Sequence, residues 1–285
     1  MDKSENLLNR AEQIIARLEA LFHEHCSDVD WKSTAWRWVM QGHHGYLQSV
    51  SHPHQISLDN IRFVDAQKAE IVRNTRQFLQ GLTANHVLLT GARGTGKSSL
   101  IKGLLNTYAR DGLRLIEVER QDLVHLDQIV ELVRTRQEKF IIFCDDLTFE
   151  ANDVGYKALK VALDGSIAGG GENVLIYATS NRKNLMPELM EDNQPVLDSS
   201  GEIRPFEAMD EKVALAERFG LWLSFYAFDQ DEYLHICETW LKTFNVPWDE
   251  AASRAALSFS HTRGMRSGRV AYQFARDYAG KLGLK

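Results

Sequence analysis

The chain has 285 residues, of which 44% are hydrophobic and 25% charged, and a formal net charge of −6. This balance excludes a disordered or membrane-embedded chain, and the acidic excess argues against a general nucleic-acid surface, which needs an excess of Lys and Arg. Three scattered cysteines, Cys26, Cys144 and Cys237, make no disulfide framework. With no secretory leader recognised and no apolar run near the ~18 residues of a membrane span, a cytoplasmic protein is expected.

Residues 6–25 set Leu7, Ala11, Ile14, Leu18 and Leu21 on one stripe of an amphipathic helix, which packs on its own domain or pairs with another subunit. Trp31, Trp36 and Trp38 follow, and then a loop-like stretch, residues 42–55, carries His43, His44, His52 and His54. No cysteine or carboxylate cluster stands at ligand spacing with these histidines, so a solvated or nucleotide-adjacent loop is expected rather than a metal site. Residues 1–55 thus read as an N-terminal helical extension.

From residue 56 helices and strands alternate. Helices are predicted over 65–80, 122–136 and 156–167, and strands over 87–90, 113–119, 140–144 and 174–179. The strands are nearly unbroken apolar runs, as expected where helices cover both faces of a sheet. The alternation predicts an α/β protein with a doubly wound parallel sheet. Residues 186–210, with Pro195, Pro205 and the turn pair Ser200-Gly201, read as a long exposed connection. After a last strand at 221–225 only helices remain, over 231–244, 249–260 and 267–282, with Asp229 and Asp249 as N-caps. The implied division is 1–55, an α/β body over 56–227, and a C-terminal helical lid over 228–285.

Residues 91–98 read G-A-R-G-T-G-K-S, a complete G-x-x-x-x-G-K-[ST] loop between an apolar strand and a helix. Gly91, Ala92, Arg93, Gly94, Thr95, Gly96, Lys97, Ser98 and Ser99 form the candidate phosphate cradle. Its backbone N–H groups and the following helix N-terminus would face phosphate oxygens. Lys97 would reach the β- and γ-phosphates, and the Ser98 hydroxyl would ligate Mg²⁺. The strand at 140–144 ends in Asp145-Asp146. Asp145 is the candidate metal carboxylate, and Asp146 the candidate general base or water-positioning group. Asn181, at the tip of the strand at 174–179, would hold the attacking water or the γ-phosphate, or serve as a turn residue. Arg218 ends a helix before the last strand and Arg266 precedes the last helix; either, taken alone, reads as a surface guanidinium.

The order of these boxes, with Arg218-Phe219-Gly220 and Gly264-Met265-Arg266, resembles the AAA+ ATPases. More narrowly, the chain resembles a bacterial AAA+ family of unknown function from about residue 56 to the C-terminus, and also at Ala35-Trp36-Arg37-Trp38. The resemblance implies a P-loop NTPase fold, ATP hydrolysis with Mg²⁺, and work on a protein partner by a homo-oligomer. It implies Walker A at Lys97 and Ser98, Walker B at Asp145 and Asp146, and sensor 1 at Asn181. Arg218 falls at the arginine-finger position that reaches a neighbour's nucleotide, and Arg266 at sensor 2, with Arg269 as rival. Phe63-Val64-Asp65 lies where the adenine is held. Two departures stand out. Asp146 replaces the usual Glu, which predicts slow hydrolysis. Residues 120–125 lack the aromatic loop with which unfoldases grip polypeptide, which argues against a threading machine. A slow ATP-gated switch and a DNA-associated loader are the alternatives.

Overall fold

A computed structural model describes residues 29–42, 44–149, 153–164, 172–181, 196–197, 203–204, 215 and 217–283. The helix expected over 6–25 lies outside them, as does most of the connection over 186–210. Within that connection, two short strands, β7 (Val196–Leu197) and β8 (Ile203–Arg204), pair antiparallel.

Five parallel strands carry the body: β3 (Val87–Gly91), β4 (Leu113–Glu117), β5 (Lys139–Cys144), β6 (Val174–Ser180) and β9 (Leu221–Phe225). A hairpin of β1 (Ala35–Gln41) and β2 (His44–Ser49) extends them, giving the order β2-β1-β4-β5-β6-β3-β9. The helical reading of residues 1–55 is therefore corrected at 35–49, because β1 pairs parallel with β4 and joins the main sheet. The loop reading of 42–55 is corrected over β2. That strand is polar, burying only Leu47, because it is a sheet edge with one half-covered face. Its hydrogen-bonding partner supplies what its own side chains do not advertise.

Alternate residues of the central strands feed two cores. Leu89, Ile141, Phe143 and Tyr177 pack with α1 (Asp65–Leu79), α2 (Lys97–Tyr108) and the C-terminal helices. Leu88, Phe140, Ile142 and Ile176 pack with α3 (Leu126–Val133), α4 (Val154–Asp164) and the hairpin residues Trp36 and Trp38. A strand buried on both faces has no polar side to alternate, hence the unbroken apolar runs. The helix expected over 122–136 is shorter, because Arg120–His125 winds as a 3-10 segment before α3 begins.

The last three helices are α5 (Gln230–Thr243), α6 (Glu250–Arg263) and α7 (Gly268–Gly283). Both expected caps are present. Asp229 accepts from Glu232 N at 2.8 Å while Glu232 accepts from Asp229 N at 3.0 Å, a reciprocal capping box. Asp249 accepts from Ala252 N at 2.8 Å. Each such cap stabilises its helix by about 1 kcal/mol. Phe274, Tyr233 and Ile236 then join these helices to the core that carries α1 and α2.

His86, just before β3, accepts a bond from Ile176 N on its Nδ1 at 2.9 Å. Burial lowers its pKa from 6.5 to about 4. The folded protein therefore binds fewer protons here than the unfolded chain, so stability present above pH 6.5 is lost as the pH falls toward 4. Between about pH 7.5 and about pH 5, His86 should account for a loss of up to about 2 kcal/mol. In thermal melts His86→Gln should lose less Tm than wild type across that interval; equal losses would exclude His86 from the acid response.

Candidate functional site

Because β3, β5 and β6 are parallel, their carboxyl ends meet at one edge of the sheet, where ligands of open α/β folds bind. Gly91 closes β3 with φ 119°, and a Cβ there would lie 1.9 Å from the Phe225 carbonyl oxygen of β9. Ala92 N donates to that same oxygen at 3.0 Å. Only glycine allows the loop to leave the sheet so close to a neighbouring strand. The loop then turns back, and Gly96, with φ 98°, hands over to α2.

Lys97 opens α2 and is only 5% exposed. Its ammonium folds under the loop, donating to Gly91 O at 2.8 Å, Ala92 O at 2.7 Å and Asn181 Oδ1 at 3.1 Å. Desolvation pushes its pKa from 10.5 down to about 8; the Asp145 and Asp146 carboxylates oppose that shift, and Arg93 adds to it. Beside it, Ser98 Oγ donates to Asp145 Oδ1 at 2.6 Å. Thr179 Oγ1 donates to the same oxygen at 2.5 Å and accepts from Asp146 N at 3.0 Å.

Asp146 has φ 52°, a left-handed conformation that Asp tolerates better than most side chains. Its Oδ1 accepts from Asn181 Nδ2 at 2.6 Å, and its Oδ2 lies 3.7 Å from Arg93 Nη2. The sequence candidates Lys97, Ser98, Asp145, Asp146 and Asn181 thus form one continuous hydrogen-bonded group, with Arg93 at its edge.

The other arginines are engaged elsewhere. Arg218 Nε donates to Asp164 Oδ1, at the end of α4, at 2.6 Å. Arg266 Nη2 donates to Gln230 Oε1 at 3.3 Å. Arg269 lies nearer the loop than its neighbours' order suggests: a Cβ placed on Gly94 would come 3.5 Å from Arg269 Cβ and 2.8 Å from Ser267. Gly268 N also donates to Gly94 O at 2.8 Å, so the start of α7 sits on the phosphate loop. Phe63, with φ 61°, faces Phe228 and His235 at ring distances of 6.3 and 5.6 Å.

Three residues at the site, Thr179, Ser267 and Gly268, have no role assigned from the sequence. Thr179 looks like an ordinary strand residue, and only the β5–β6 register, Cys144 opposite Ala178, brings its hydroxyl to Asp145. Ser267 and Gly268 touch the loop from 170 residues away in the chain (roughly, by sequence separation).

The donor set suits Mg²⁺ and phosphate. A hydroxyl and a carboxylate are hard oxygen ligands, and a loop with glycines at positive φ presents its N–H groups to an anion. Among the described residues, no cluster of three or more His, Cys, Asp or Glu side chains is placed to hold a metal. No described helix is long and apolar enough to cross a membrane.

Residues 31–282 match the family described as Protein of unknown function (DUF815). The chain belongs to this family. No curated protein matches the chain at a significant level. Among solved structures, Thermotoga maritima RuvB, described as a Holliday junction branch migration motor, matches with a TM-score of 0.50 and 19% identity. The match covers 78% of this chain and 63% of that one. Two single-substitution variants of the same protein give TM-scores of 0.51 at 17% and 16% identity, over 78% of this chain and 63% and 64% of theirs. The chain spans less than two thirds of the RuvB length, and at this identity the likeness carries the fold. That fold is the AAA+ P-loop fold, with seven strands here in a mostly parallel sheet.

The depressed Lys97 pKa has a measurable consequence. Phosphate oxygens favour the protonated lysine, so the affinity of any phosphate-bearing ligand held by Lys97 should hold below pH 8 and fall above it, up to about tenfold per pH unit. Calorimetry in buffers of different ionisation enthalpy should detect proton uptake on binding that grows from about pH 7 to about pH 9. Uptake that stays flat would show that Lys97 is fully charged in the free protein.

Proposed function

We propose that this protein is an ATP-hydrolysing AAA+ protein whose conformational cycle remodels, loads or regulates a protein partner. The observation that carries the reading is the group joined through Lys97, Asn181 and Asp146, with Ser98 and Asp145 bonded beside it. Such a group pairs a phosphate cradle with the carboxylates that hydrolysis needs.

Lys97 would exchange the carbonyls of Gly91 and Ala92 for β- and γ-phosphate oxygens. Ser98 and Asp145 would hold Mg²⁺, which when bound neutralises phosphate charge. Asn181 and Asp146 would orient a water toward the γ-phosphorus. In the reaction the water oxygen bonds to that phosphorus, the bond to the β,γ-bridging oxygen breaks with its electron pair leaving on ADP, and a water proton departs by way of Asp146. Thr179 fixes the two aspartates relative to each other. The start of α7 on Gly94 gives a route by which nucleotide state reaches the lid. A base would stack in the Phe63, Phe228 and His235 corner, and Arg218 would serve a neighbouring subunit's site in a homo-oligomer.

A second reading, a slow ATP-gated switch, draws on one observation. The Asp146 carboxylate is one methylene shorter than a glutamate and is held by Asn181 and Arg93. Movement on DNA, as the RuvB description has it for that protein, fits the net charge of −6 poorly.

Asp146→Asn should keep ATP affinity within about threefold and lower steady-state turnover at least about 100-fold. If ATP-dependent capture of a partner persists in this variant but release fails, the machine is supported. If capture and release are both indifferent to it, the switch is correct. Failure of wild type to bind ATP would end both readings. Turnover per subunit should rise with protein concentration as subunits share sites, and Arg218→Ala should abolish that rise; unchanged turnover in the assembled variant would remove Arg218 from catalysis.

A further inference from the structure

Arg93 stands at the third position of the phosphate loop, where the sequence pattern asks for no particular side chain. Its neighbours give it a defined place. Gly94, immediately after it, turns with φ 72° and is pressed between the loop and the start of α7, its carbonyl bonded by Gly268 N at 2.8 Å. With the backbone pinned on that side, the Arg93 guanidinium reaches the turn that follows β5, its Nη2 lying 3.7 Å from Asp146 Oδ2. Asn181 holds the other Asp146 oxygen from behind, and Lys97 holds Asn181.

Resting on the ATPase reading above, we propose that Arg93 is a catalytic residue that stabilises the transferring γ-phosphoryl group in its own subunit. Lys97, Asn181 and Asp146 form one bonded row, and the transferring group must meet that row if Lys97 and Asp146 act as assigned; Arg93 stands at its Asp146 end. The contact with Asp146 is no lock. Both side chains are half exposed or more, at 68% and 52%, and an ion pair of this kind holds little. A phosphate offers the guanidinium a bidentate, doubly charged partner, which outcompetes one screened carboxylate oxygen. The exchange frees Asp146 to meet water as Arg93 moves onto the phosphate, so one side chain couples substrate arrival to the readiness of the base. Because Gly94 carries the lid contact, the aim of Arg93 depends on the position of α7. Charge that develops on the γ-oxygens then meets two cations from one loop, Lys97 and Arg93, before any neighbour contributes.

The test uses the full-length chain and three variants: R93A, R93K and K97A. R93A is expected to bind ADP within about threefold of wild type and to lose about 10²- to 10³-fold in turnover. It should also lose the extra affinity that wild type shows for ADP with aluminium fluoride over ADP alone. R93K should recover only part of each, since an ammonium cannot form the bidentate contact. Mixing R93A with K97A chains should leave turnover low, because a residue acting within its own subunit cannot be supplied by a nucleotide-free neighbour. Wild-type turnover and analogue affinity in R93A would overturn the proposal, and so would rescue in the mixture. A wild-type chain that binds no ATP would instead remove the underlying reading, and the proposal with it.

Discussion

The structure turns on a buried cation. Lys97 sits beneath its own loop, and burial there costs enough to bring its pKa down to about 8. Only oxygen partners make that position tenable, and three supply them: two loop carbonyls and the Asn181 amide. The loop can fold over the ammonium because Gly91 passes against the Phe225 carbonyl without a side chain. That passage in turn requires β3 to run between β6 and β9. The buried ammonium beneath its loop is thus a direct result of strand order.

The parallel arrangement does the rest. Strand ends that are remote in the chain arrive together, so Ser98, Asp145 and Thr179 share one carboxylate oxygen. Two apolar cores, one on each face, hold these strands rigid behind the site. The C-terminal helices share the core that carries α1 and α2, and α7 contacts the loop backbone itself. A shift of those helices would be felt at Gly94 without any intermediary. Loop, carboxylates and C-terminal helices form one mechanically connected unit.

Much of this was legible in the sequence. The central strands announced themselves as apolar runs, because a strand covered on both faces has no water side to mark. The two capping aspartates were legible because a cap is a local bond, made within four residues. The phosphate loop was legible for the same reason: its glycines, Lys97 and Ser98 act within one turn. The β1–β2 hairpin was not. Trp36 and Trp38 point to one core while His44, Tyr46 and Gln48 line a polar edge, so no periodicity distinguishes β2 from a loop. The 3-10 segment at Arg120–His125 was equally hidden, since apolar spacing alone cannot separate it from the α-helix it precedes.

The sequence by itself determined that a glycine-rich loop ending in Lys97-Ser98 follows a buried strand, that an acidic pair ends another, and that helices follow the last strand. These follow from short-range chemistry, which a run of residues carries wherever it is placed. Tertiary structure alone decided which groups meet. It put Thr179 on Asp145, Asn181 between Lys97 and Asp146, and the start of α7 on Gly94. It tied Arg218 to Asp164 and turned Arg93 toward Asp146. Those pairings depend on register between strands and on packing between helices, and both are set by the burial of side chains far from the site.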